Sequence, residues 1–178
     1  LIMGFGMRGD LWAPQIEALR GTHRVAWYDH RGIGESDRGP KALWTIQDMA
    51  HDTLRVMNAL GWKQVHLVGV SMGGMIAQEA ALMAPHRFKS LALIATNAGG
   101  PLKHKLPPLK GLRAFLTVNT STGARRARAM RTLLYPEHFI AQSDLKAMNE
   151  RIRSRLDRPT HSRTLVAHLH AVLRHDTR

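Results

Sequence analysis

The chain of 178 residues contains no cysteine. Disulfides, thiolate nucleophiles and cysteine-ligated zinc are thereby excluded. Aromatic residues are scarce, at 6%, so few rings are available to stack on the bases of a nucleic acid. No apolar run reaches the roughly 18 residues that a bilayer-spanning helix needs, so no membrane insertion is expected. Acidic residues are also short, 13 against 26 basic ones, for a net charge of +13. The imbalance is uneven. Residues 1–100 hold 10 basic and 8 acidic side chains, whereas residues 101–178 hold 16 and 5. A basic surplus of that kind invites a nucleic-acid reading. No zinc-finger or RNA-binding aromatic signature supports it, so a solvated basic surface is expected instead. Arg125, Arg126, Arg128, Arg131, Arg151, Arg153 and Arg155 should be mostly exposed, because unpaired buried charge is costly.

The first hundred residues alternate strand and helix patterns. Leu1–Met3, His23–Tyr28, Gln64–Val70 and Phe88–Thr96 read as strands, and residues 11–20, 45–60 and 72–83 as helices. Thr45 and Asp48 form a capping-box pattern, and Gly61 suits a helix stop. The alternation predicts an α/β fold with a parallel sheet. After Pro101 come a Pro- and Lys-rich linker and then only helical patterns. Among these are the stripes Leu145, Met148, Ile152, Leu156 and Leu165, His168, Leu169, Val172. Residues 1–100 are therefore expected to form a partial core and residues 101–178 a helical cap.

Gly69-Val70-Ser71-Met72-Gly73 is G-x-S-x-G between a buried strand and a helix. The pattern fits a nucleophile elbow. Residues two before and two after the serine approach each other closely, so both must be small. The turn lifts the Ser71 hydroxyl off the sheet and puts the Met72 N–H at a helix N-terminus.

Three motifs in this order resemble the α/β-hydrolase superfamily, serine-nucleophile branch: Leu1 to Phe5 (LIMGF), the turn Asp29-His30-Arg31-Gly32-Ile33-Gly34-Glu35-Ser36, and the elbow. The resemblance implies Ser71 as nucleophile, with the backbone N–H groups of Phe5 and Met72 as oxyanion hole. It also implies structural roles for Gly4, Gly69, Gly73, Asp29, Arg31, Gly32 and Gly34. The implied activity is a serine hydrolase of carboxylic esters, lactones or related acyl compounds, with a small-molecule substrate and no metal or other cofactor. Lyases, acyltransferases and perhydrolases share the scaffold. In the family, an acid and a histidine follow the serine on later strands. After Thr96 no strand pattern remains. His161, His168, His170 and His175, with Asp144, Glu150 and Asp157, all fall on helical patterns. His168 reads as a packed or pocket-lining histidine, and His30 and His66 as turn and strand residues. The chain is therefore expected to lack the triad acid and base and to be inactive alone; separately, a cytoplasmic location is expected. Oligomeric state is left open.

The sharpest rival is a Rossmann-like dinucleotide site. Gly4, Gly6 and Gly9 form a literal G-x-G-x-x-G, and Asp29 follows 20 residues later. Against it, a helix opening inside the motif would have Pro14 in its interior.

Overall fold

The computed structural model describes residues 1–101, 108–156 and 160–178. Most of the linker segment and Asp157 lie outside the described residues, as does the side chain of Arg155. The described elements are a 3-10 turn (Gly9–Trp12), α1 (Ala13–Leu19), α2 (Ile46–Ala59), β1 (Val65–Val70), α3 (Met72–Met83), a second 3-10 turn (Pro85–Arg87), β2 (Phe88–Ile94), α4 (Leu109–Thr120), α5 (Gly123–Leu134), α6 (Glu137–Ala141), α7 (Leu145–Leu156) and α8 (Ser162–Arg174).

α2 begins where its cap dictates. The Thr45 hydroxyl accepts the Asp48 N–H, and the Asp48 carboxylate accepts the Thr45 N–H. Its Ile46, Met49, Ala50, Thr53 and Met57 are buried on one face, the period-3.6 stripe of a helix lying on a core. α3 is apolar on nearly every side and correspondingly buried along most of its length. The two helices pack around Ile2, Leu67, Ile76 and Ala80.

β1 and β2 pair in parallel, with Leu67 opposite Leu91 and Gly69 opposite Leu93. On the other side of β1, among the described residues, only Ile2 is bridged, through Ile2 N–H to Val68 O (2.8 Å) and Val70 N–H to Ile2 O (3.2 Å). The expected strand at 1–3 is thus a single bridge, cut short at Gly4. Among the described residues, the expected strand at 23–28 joins no ladder. The Leu1 nitrogen donates to Ala26 O (2.8 Å). Among the described residues, nothing pairs with the outer edge of β2, where Leu91, Leu93 and Ile94 are 37%, 44% and 45% exposed.

The chain divides into two compact units, one formed by Leu1–Lys105 with Thr160–Arg178 and the other by Leu106–Pro159. The boundary expected at residue 100 is therefore modified: α8 belongs with the first unit. The reason lies in its small residues. The buried face is Thr164, Ala167, His168 and Ala171, which permit close approach, while Leu169 of the expected stripe is exposed. The chain end is tied in by Thr177 N–H to Ala98 O (2.9 Å).

In the second unit α4 packs on α5, and α5 on α7, through Ala114, Val118, Ala127, Met130, Met148 and Ile152. Arg125, Arg128, Arg151 and Arg153 are exposed, and Arg126 and Arg131 are half-buried, Arg131 donating to Asn149 (2.7 Å). Among the described residues no helix is long and apolar enough to cross a membrane.

Candidate active site

Ser71 joins the end of β1 to the start of α3 and has φ 54° and ψ −121°, a left-handed conformation that side chains rarely adopt. Three contacts secure it. Its N–H donates to Ile94 O (2.9 Å), its carbonyl accepts Gly74 N–H (2.9 Å), and the Thr96 hydroxyl donates to the same carbonyl (2.8 Å). The flanking glycines are sterically required. A Cβ on Gly69 would lie 2.2 Å from Gly73 O, and one on Gly73 would lie 2.3 Å from Ile2 O. A Cβ on Gly74 would sit 2.6 Å from the Thr96 side chain. Gly4 faces the elbow too, with its added Cβ 3.3 Å from Ser71 Cβ. Leu1–Phe5 and Gly69–Gly73 are therefore neighbours, with the Ser71 side chain exposed beside Gly4.

The Asp29–Ser36 turn is a brace. Asp29 Oδ1 accepts Gly9 N–H (2.6 Å), and Ser36 Oγ donates to Asp29 O (2.7 Å). Arg31 grips Asp52 through both Nε and Nη2, the latter at 2.8 Å, which raises the guanidinium pKa. Gly32 and Gly34 take φ of +69° and +56°. This geometry tells against the dinucleotide rival. The helix does not open within Gly4–Gly9 but starts at Ala13, and the Asp29 carboxylate is bound to Gly9 N–H instead of facing a ribose site.

His161 is exposed, His170 Nδ1 donates to Trp44 O (3.1 Å), and His175 is buried with Nδ1 3.6 Å from the Glu79 carboxylate. Burial raises the Glu79 pKa. Asp144 caps α7 through Lys146 N–H (2.8 Å), and Glu150 is exposed. Among the described residues no histidine hydrogen-bonds the Ser71 hydroxyl, and no three metal-ligating side chains converge.

Sequence reasoning missed His30. It reads as a turn residue, yet it is 2% exposed and its Nε2 donates to Met3 O (2.7 Å). Its position inside the Asp29–Ser36 motif was the available signal. His168 is fully buried among Phe5, His30 and Trp44, and its Nδ1 accepts Gly6 N–H (3.3 Å). Desolvation, with the adjacent His30, lowers its pKa to about 3; burial lowers that of His30 as well.

Comparison with known proteins places this geometry. The family model for the alpha/beta hydrolase fold matches residues 1–171. A protein of Azorhizobium caulinodans named carbamate hydrolase RutD is 38% identical over 147 residues, 80% of this chain and 52% of the relative. An esterase structure from Thermogutta terrifontis superposes with a TM-score of 0.75 at 26% identity, covering 98% of this chain and 62% of that one. The enol-lactonase of Burkholderia xenovorans gives 0.74 at 25%, covering 98% and 64%. The chain spans about half the length of the curated relatives it matches. On the family match and these relatives, the chain belongs to the alpha/beta hydrolase fold family.

Proposed function

We propose that the protein is a serine hydrolase of small acyl compounds, with Ser71 as nucleophile. The observation that carries this reading is the strained, glycine-flanked strand-to-helix turn that holds Ser71 exposed. Such strain concentrates at functional sites. Ser71 Oγ attacks the substrate carbonyl carbon while its proton passes to a histidine acting as general base. The N–H groups of Phe5 and Met72 stabilise the tetrahedral oxyanion. Collapse of that intermediate expels the protonated leaving group and leaves an acyl-serine, which water then hydrolyses. α4–α7 form a separate basic module. Its basic surface is solvated and contacts no nucleic acid. No cofactor takes part.

Esters, lactones and carbamates are the substrate classes to compare, because relatives carry names of all three kinds. The test uses the whole protein. A fluorophosphonate probe should label Ser71, one substrate class should be turned over, and Ser71→Ala should abolish both. Full turnover by the alanine variant refutes the reading. The 178-residue chain alone should hydrolyse p-nitrophenyl acetate no faster than its own Ser71→Ala variant. A Ser71-dependent rate there would mean that the base lies within residues 1–178.

A further inference from the structure

The segment Met3-Gly4-Phe5-Gly6 is held from both ends by buried histidines. His30 Nε2 donates to Met3 O (2.7 Å), and His168 Nδ1 accepts Gly6 N–H (3.3 Å). The two rings meet edge to face with centroids 5.8 Å apart, so they form one unit. The Thr160 hydroxyl adds a bond to Gly6 O (2.9 Å). The Phe5 N–H belongs to the Gly4–Phe5 peptide. That peptide lies between the Met3–Gly4 peptide, gripped by His30, and the Phe5–Gly6 peptide, gripped by His168.

These bonds fix the proton on each ring. His30 Nε2 faces a carbonyl, so it carries hydrogen. His168 Nδ1 faces an N–H, so it is bare, and the neutral ring has its hydrogen on Nε2. A ring that merely filled space would place no such demand on its tautomer. Phe5 and Trp44 pack on His168 and complete the enclosure.

We propose that His30 and His168 are positioning residues for acyl transfer, which together set the Phe5 N–H where the oxyanion forms. The inference rests on the roles proposed above for Ser71 and Phe5. Neither histidine exchanges a proton with substrate. Their effect is preorganisation, which is felt in the transition state more than in substrate binding.

The experiment measures kcat and KM in the whole protein, normalised to sites titrated with fluorophosphonate. His30→Leu and His168→Leu should lower kcat about 10- to 100-fold with KM within about twofold, as expected when a catalytic donor is displaced. His30→Gln can donate to Met3 O and His168→Gln can accept from Gly6 N–H, so both should recover most of kcat. Wild-type kcat in the leucine variants, or failure of both glutamines to rescue, overturns the proposal. Should the leucine variants not fold, 15N spectra of the wild-type rings decide. Both must show the Nε2–H tautomer, and an Nδ1–H ring at His168 overturns the assignment. Ser71→Ala separates the two ideas. Loss of turnover there with unchanged kcat in the leucine variants sinks the histidine proposal alone, whereas turnover by Ser71→Ala sinks the functional reading.

Discussion

Acid should loosen the first unit through His168, by an amount that can be worked out. The ring is fully buried and its pKa is lowered to about 3, chiefly by desolvation and secondarily by His30. In the unfolded chain it titrates at its ordinary value near 6.5. Because the native pKa is depressed, the unfolded state binds more protons below pH 6.5, and stability falls as pH falls from there towards 3. From pH 7 to pH 5 the loss is about 2 kcal/mol, at about 1.4 kcal/mol for each unit over which only the unfolded ring is charged. His30 acts in the same direction. Glu79, whose pKa is raised by burial, acts in the opposite one, since its native form takes up a proton first. A variant isolates the His168 contribution from both. Urea unfolding at pH 7 and pH 5 should be followed by the fluorescence of Trp44, whose ring lies 5.6 Å from His168. The stability lost between the two pH values should be about 2 kcal/mol smaller in His168→Gln than in wild type. Equal losses would refute the claim that a neutral, buried ring sits at this position.

Three further outcomes follow from packing and charge. Gly69→Ala should destabilise the fold by about 3 kcal/mol or more and abolish labelling of Ser71, because the new Cβ meets backbone that cannot swing away; a melting temperature near wild type would contradict this. Asp52→Asn removes the charge partner of the half-buried Arg31 and should cost about 2 kcal/mol in urea unfolding, with little dependence on salt. Leu93→Lys, on the uncovered β2 edge, should raise the soluble yield of the 178-residue chain when it is expressed alone; unchanged light scattering would show that this edge does not drive association.

The elements that could be read from the sequence are those whose local and tertiary demands agree. Thr45 and Asp48 close a capping box with no outside help, and the elbow's glycines are dictated within a few residues of Ser71. The misreadings occur where a distant partner decides. Residues 23–28 have strand composition, yet a strand is defined by the ladder it joins, and composition does not supply the neighbour. On α8 the larger apolar side chains suggest one face, but Ala167 and Ala171 allow the helix to settle on another. The two buried histidines show the same effect. His30 and His168 are 138 positions apart, and only the fold tells that they share an enclosure.

The backbone of Ser71, at φ 54°, has a history as well as a geometry. Glycine would adopt those angles without penalty, whereas a side chain there costs about 1–3 kcal/mol. Under the role proposed for Ser71, serine is kept at this position against a gain in stability that glycine would offer. In a duplicated copy released from the need for turnover, Ser71→Gly should be among the first changes to spread. It should also raise the melting temperature by several degrees in the laboratory. A lineage that kept this fold only to bind its ligand would then carry three alternate glycines across the elbow, and that triplet would mark a retired enzyme.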